Sequence, residues 1–261
     1  MKLRLTFLAS IAVTISLSSC LDDLFCVNGN GIAEVERRRI TSFTSIRNET
    51  SFDVIYKKAD STSLSIKAEQ NILKYIETNV YDGCLEIETS PGSVCLDYNI
   101  KPVISISSPG LSGAFLAGSG EITADTLAGE TVTVTVSGSG NLSVKRITSD
   151  DSQIRLSGSG DLEIAEMLTR NADFTVSGSG NITVTGSSDT ESLRISGSGN
   201  IQAGNFEVNT ASVIISGSGN AYTNIEVYLY GLLSGSGNIY LTGDPEIDQK
   251  ITGSGRIIKR K

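Results

Sequence analysis

From about residue 117 onward, apolar and polar positions alternate in short runs, and the runs recur. Ile122 and Ala124, Leu142 and Val144, Leu162 and Ile164, Ile182 and Val184, and Ile201 and Ala203 form one series. Val134 and Val136, Ile154 and Leu156, Phe174 and Val176, Leu193 and Ile195, and Val213 and Ile215 form a second. Period-two alternation predicts strands with one face buried and the other wet. The same tripeptide, Gly-Ser-Gly, separates the second series from the first. Its glycines are Gly118 and Gly120, Gly138 and Gly140, Gly158 and Gly160, Gly178 and Gly180, Gly197 and Gly199, Gly217 and Gly219, Gly235 and Gly237, and Gly253 and Gly255. Successive units start 20, 20, 20, 19, 20, 18 and 18 residues apart. A weaker apolar cluster midway through each unit (Leu127, Ile147, Leu168, Phe206, Val227) predicts a third side.

A near-fixed period is the mark of a solenoid or array. A propeller blade needs about twice this length, and a sandwich has no use for one corner repeated so often. Stacked coils do need sameness, because equivalent corners lie above one another at the ~4.8 Å strand spacing. Glycine at such a corner supplies either positive φ or close backbone approach. The position after the tripeptide is mostly Asn or Asp: Glu121, Asn141, Asp161, Asn181, Asn200, Asn220, Asn238 and Arg256. Ser and Asn in register predict hydrogen-bonded ladders along the stack. The expected fold is all-β, a right-handed parallel β-helix of ~20-residue coils, roughly 35 to 40 Å long.

Residues 34–116 lack the tripeptide but alternate as well, at Phe52–Tyr56, Leu64–Lys67, Leu85–Glu88 and Val103–Ile106, with a short helical turn expected over Asn71–Ile76. This portion is expected to cap or begin the helix, and residues 117–261 to form it. At the far end, Arg256 and Lys259–Lys261 place charge on an otherwise exposed edge.

The N-terminus reads as an export signal. Lys2 and Arg4 precede an apolar run from Leu5 to Ile15 that is too short to span a bilayer. Leu17-Ser18-Ser19-Cys20 then resembles a bacterial lipobox. That predicts a signal peptide at 1–19, a diacylated Cys20 anchoring the chain to a membrane, and a tether over 20–33. Asp22 and Asp23 favour the outer membrane, with surface exposure as an extension of that reading. An oxidising compartment permits disulfides. Cys84 and Cys95 bracket a turn at residues 90–93 and are the expected pair, leaving Cys26 in the tether, with pairing of Cys26 to either left open.

Several of these segments, in order, resemble the putative auto-transporter adhesin "head GIN" domain, a domain of unknown function common in bacterial lipoproteins. They are Phe43-Thr44-Ser45-Ile46, Phe52-Asp53-Val54-Ile55-Tyr56, Glu69-Gln70-Asn71-Ile72-Leu73, Gly83-Cys84-Leu85-Glu86-Ile87, Pro102-Val103-Ile104-Ser105-Ile106 and the Gly-Ser-Gly array. The resemblance spans roughly residues 34–255. It implies an all-β, β-helical fold and export, and it carries no catalytic or binding residues with it.

Composition narrows the chemistry. The 261 residues contain no His and no Trp, and the net charge is -8. The commonest general base and zinc ligand is thus absent, and nucleic acid is disfavoured as a partner. Neither a CxxC pair, a P-loop context nor a nine-residue calcium repeat occurs, so no cofactor and no metal is expected. Carboxylates for glycoside chemistry would come from Glu121, Asp161 or Glu163, but Asn141 and Asn181 flank Asp161 and break any carboxylate ladder. The Thr131–Thr135 run suggests an ice-binding lattice, which neighbouring coils do not continue. Asp60-Ser61-Thr62 and Asp125-Thr126-Leu127 match a short O-glycosylation sequon at Ser61 and Thr126. Tyr222, Tyr228, Tyr230 and Tyr240 form a candidate aromatic binding patch. The expectation is a non-enzymatic, lipid-anchored envelope protein that binds an extracellular polymer or protein. A carbohydrate-active enzyme is the competing class.

Overall fold

The computed structural model describes residues 26–91 and 94–260, so the signal peptide, Cys20 and the first residues of the tether lie outside the described residues. Within them the chain is a β-solenoid of about 7 turns with parallel stacked coils. The only departure from strand and loop among the described residues is a 3₁₀ turn at Leu73–Tyr75.

The repeated half stacks as its spacing requires. β11 (Glu121–Val136), β12 (Asn141–Leu156), β13 (Leu162–Val176), β14 (Ile182–Ile195), β15 (Ile201–Ile215) and β16 (Ala221–Leu233) pair in parallel, each with the next. The β11–β12 ladder skips Asp125 and Glu130, where the chain bends. Each coil therefore has a first face (121–124 in β11), a short second face (126–129) and a third face (131–136), closed by the Gly-Ser-Gly corner. Like residues stack inside: Ile122, Leu142, Leu162, Ile182, Ile201, Ala221 and Ile239 form one fully buried column. β17 (Ile239–Thr242) and β18 (Glu246–Ile251) cover β16, and β19 (Ile257–Lys259) covers β17. The last coil is a charged, mostly exposed edge, a form that discourages pairing with another chain.

On the second face the expected residues are half right. Leu127, Ile147 and Phe206 are buried, but Leu168 and Val227 are 44% and 57% exposed, and Met167 and Ile225 take the interior instead. Met167 pairs with Ile147 in register, so Leu168, one residue on, must face outward.

The N-terminal half belongs to the same stack, in an order different from that of the chain. β3 (Ser45–Asn48) and β4 (Asp53–Lys58) form a coil directly beneath β10 (Gly113–Leu116) and the start of β11. Beneath that coil lie β7 (Cys84–Thr89), paired with β3, and β9 (Val103–Ser108), paired with β4. The earlier segment is thus slotted between two later ones. β6 (Ile76–Tyr81) runs antiparallel to β7, β5 (Ser63–Glu69) antiparallel to β9, and β2 (Ala33–Arg38) antiparallel to β5. These antiparallel strands cover the lower end of the parallel stack, which a solenoid cannot leave open.

The disulfide joins Cys26 to Cys95, and Cys84 is a free thiol; the expected Cys84–Cys95 pairing is corrected. Cys84 opens β7 and lies opposite Ser45 and Tyr81. Five further extended residues carry the chain roughly 17 Å away from it before the loop that holds Cys95. There the short strands β1 (Val27–Asn28) and β8 (Leu96–Asp97) pair side by side and bring Cys26 to Cys95. Glu69-Gln70-Asn71 supplies a latch for the same tether. The Glu69 carboxylate accepts the Gly31 and Asn99 N–H groups, and Asn71 accepts the Asn30 N–H and donates to Asn28 O.

Candidate ligand-binding groove on the first face

The corners determine what the faces can present. From Gly138 onward, a Cβ on a first glycine would overlap the carbonyl oxygen of the glycine below it, and the second glycines from Gly140 behave alike. None of these glycines has positive φ, so close backbone approach is the operative requirement. The Ser159 N–H donates to Gly138 O (3.2 Å) and the Ser179 N–H to Gly158 O (3.1 Å), a pattern repeated up the stack. The corner serine hydroxyls face solvent, so the expected serine ladder is corrected: serine contributes its main chain. The Asn ladder does form. Asn200 Nδ2 and N–H both donate to Asn181 Oδ1 (2.9 and 3.2 Å), and Asn220 does the same to Asn200. The Asp161 carboxylate serves in it as an acceptor only, while its N–H donates to Asn141 Oδ1.

The four tyrosines do not form one patch. Tyr222 and Tyr240 are outward neighbours on the first face, paired in register, with rings stacked at 4.7 Å and 10°. Tyr228 and Tyr230 stand on the third face, opposite Glu246 and Asp248. The bend after Asn224 separates the two pairs, and linear spacing does not reveal it. Burial and the neighbouring carboxylates of Asp248 and Glu246 push the Tyr228 hydroxyl above its ordinary pKa.

A register defect deepens the first face beside Tyr222. Thr183 pairs with Gln202 but Thr185 pairs with Asn205; above, Ala203 pairs with Thr223 but Glu207 pairs with Asn224. β15 therefore carries one residue more than β14 between these pairs, and residues 204–206 have no match in β16. Bulges of this kind re-aim side chains and recur beside binding sites. The surplus is visible in the corner spacing, which drops from 20 to 18 residues after Gly217. A concavity of about 530 Å³ results, lined by Thr183, Val184, Thr185, Gln202, Gly204, Asn205, Tyr222, Thr242 and Arg260. The Arg260 guanidinium lies 5.7 Å from the centroid of the Tyr222 ring.

A second concavity, of about 280 Å³, is lined by Ile55, Tyr56, Lys57, Thr123, Ala124, Asp125, Ser143, Val144, Lys145, Glu163 and Ala165. It adjoins the first, because Glu163 pairs with Thr183 and Ile164 with Val184 in register. The two follow one another along the first face of consecutive coils, the lower one apolar and the upper one polar. Glu163 lines the lower one, whereas Glu121 accepts the Thr123 hydroxyl without lining it and Asp161 belongs to the Asn ladder. Thr131, Thr133 and Thr135 face Asp151, Gln153 and Arg155 in the next coil, so no threonine lattice forms.

Sequence patterning did not single out Glu191. Its side chain points into the solenoid interior in the column that holds Ala172 below and Ala211 above. Thr223 Oγ1 donates to one carboxylate oxygen at 2.9 Å, and the other has no partner. Burial pushes its pKa up to about 8, against the pull of the Thr223 hydrogen bond. Among the described residues, no group of three or more Cys, Asp or Glu side chains is placed to hold a metal ion.

With this geometry in view, the profile of the putative auto-transporter adhesin, head GIN domain matches residues 42–245. The chain belongs to that family. Solved structures agree on the architecture. A putative lipid binding protein from Parabacteroides distasonis is 27% identical with a TM-score of 0.82, covering 90% of this chain and 99% of its own. A putative adhesin from Parabacteroides merdae is 22% identical with a TM-score of 0.81, again covering 90% and 99%. A putative adhesin from Bacteroides fragilis is 21% identical with a TM-score of 0.65, covering 90% and 100%. No curated protein matches the chain.

Proposed function

We propose that the chain is a non-enzymatic binding module of the cell envelope that holds an extended polymer in its first-face groove. The observation that carries this reading is the succession of the two concavities along the first face of consecutive coils, ending at the Tyr222–Tyr240 stack. A rigid post with repeating, equally spaced contacts suits a ligand that is itself extended. The adhesin descriptions of the family and of its structural neighbours support a role in adhesion at the cell surface.

Attachment follows from the lipobox: Cys20 is diacylated, the signal peptide is removed, and the stack stands off the outer membrane on its tether. Feeding cells a clickable palmitate analogue and fractionating them tests this; a soluble, unlabelled protein refutes it. Binding is tested with the chain expressed from Leu21 on a polysaccharide and glycan panel, scored in parallel for hydrolysis. Binding without turnover supports the module. Turnover overturns the non-enzymatic reading in favour of a carbohydrate-active enzyme, and exclusive capture of phospholipid vesicles overturns the polymer reading.

A further inference from the structure

The upper groove has a chemistry of its own. Its polar lining is three hydroxyls (Thr183, Thr185, Thr242), two amides (Gln202, Asn205) and one guanidinium, with no carboxylate, on a chain of net charge -8. Nearby cations are spoken for: Lys259 pairs with Asp244. Arg260 has no carboxylate partner among the described residues, and its guanidinium lies over the Tyr222 ring. Resting on an aromatic face orients the planar cation and leaves its N–H fork available for a bidentate acceptor. Mixed hydroxyls and amides match a ligand rich in hydroxyls, and a tyrosine pair offers the apolar C–H face of a sugar a surface to lie on. An acyl chain would meet little apolar wall here beyond Val184 and the tyrosine ring.

Space is provided on purpose by the bulge. A Cβ on Gly204 would meet nothing nearer than the Tyr222 Cβ, at 4.0 Å, and Gly204 is not at positive φ. Neither its own φ nor a neighbouring backbone therefore demands a glycine here, whereas close backbone approach demands the corner glycines. Its lack of a side chain keeps the concavity open.

We infer that this end of the groove is a subsite for a carboxylate-bearing sugar residue of an extended glycan, held by Arg260 and seated against Tyr222 over Gly204. The inference rests on the polymer-binding reading above. It is tested by titrating the chain expressed from Leu21 with polygalacturonate oligomers, dextran oligomers and phosphatidylglycerol vesicles. Polygalacturonate is expected to bind more tightly than dextran and to weaken as salt rises. Arg260→Ala should cost at least tenfold in polygalacturonate affinity and leave dextran unchanged. Gly204→Leu should weaken polygalacturonate at least as much, with an unchanged thermal midpoint showing that the fold is intact. Equal binding of both oligomers, or indifference to Arg260→Ala, overturns the acidic subsite while leaving the groove reading standing. Vesicle binding that Arg260→Ala abolishes, without polygalacturonate binding, overturns it in favour of a phosphate headgroup. Failure of both oligomers to bind the folded chain overturns both readings.

Discussion

Two corners of this stack do the same job by different means. The corner at residues 48–52, between β3 and β4, sits directly beneath the first Gly-Ser-Gly corner, as the contacts of Gly118 and Gly120 with Thr50 and Phe52 show. It contains no glycine. Asn48, fully buried, donates through Nδ2 to Phe52 O (2.9 Å) and accepts from the Thr50 N–H (3.0 Å) and hydroxyl (2.7 Å); Thr50 Oγ1 in turn accepts the Phe52 N–H (3.1 Å). A corner in the repeated half is satisfied instead by the coil below, through glycine carbonyls and the Asn ladder. The difference follows from position. Below Asn48 the chain between β7 and β9 makes a long loop rather than a matching corner, so the first corner satisfies itself and the later ones are templated.

The sharpest way to break templating is to put a methyl group between two corners. Gly158→Ala drives a Cβ into Gly138 O, a backbone atom that cannot step aside. A loss of about 3 kcal/mol or more is expected. Ser159→Ala, one residue on and exposed, should stay within about 0.5 kcal/mol. Urea midpoints of the two variants decide this, and equal midpoints would show that the corner is not close-packed. The self-contained corner fails differently. Asn48→Ala leaves Phe52 O and the Thr50 N–H buried without partners, at about 2–3 kcal/mol, and unfolding monitored in the β3–β4 coil by hydrogen exchange should begin there.

Templating has an interior counterpart, and Glu191 offends against it. Its pKa rises from the ordinary 4.5 to about 8 in the fold. A carboxyl group with a raised folded pKa stays protonated while the unfolded chain ionises, so its contribution is intact below about pH 4.5 and is lost as pH climbs toward 8. Glu191→Gln removes the titration. The variant should be more stable than the parent by about 2 kcal/mol at pH 6, with the gap widening toward pH 8 and closing near pH 4.5. Thermal midpoints across that range check it, and a gap independent of pH would refute the assignment.

The contrast also explains what could be read from the chain. Templated features are repeated in sequence because they are repeated in space, so the coil length, the glycines and the Asn ladder all show in the spacing. Features that occur once do not. The Asn48 corner looks like any polar loop, and the Cys26–Cys95 bridge depends on where β7 carries the chain. The split of the tyrosines depends on a bend that no residue announces. Leu168 and Val227 were misplaced because a midway apolar cluster gives no phase, whereas register with Ile147 does. The groove left one trace, the drop from 20 to 18 residues between corners, and that number alone does not say which face deepens.

Along the ladder itself the expected effects are small, and they sharpen the comparison most finely. Asn200→Ala removes its own Nδ2 bond and the acceptor for the Asn220 N–H and Nδ2, so about 1 kcal/mol should be lost. Asp161 is the ladder's one carboxylate. It accepts from Asn181 as an asparagine would, and its own N–H reaches Asn141 Oδ1 at 2.9 Å, but it has no side-chain donor to send downward. Asp161→Asn supplies that donor to Asn141 Oδ1 and keeps the acceptor. If corners above the first are stabilised by what the coil below offers, this one atom exchange should raise stability by about 0.5 kcal/mol, read as a small upward shift in urea midpoint. The same substitution would have no such effect in a self-capped corner, where no coil below presents an acceptor. A loss of stability at Asp161→Asn would mean that the carboxylate charge, rather than ladder continuity, is what this corner uses.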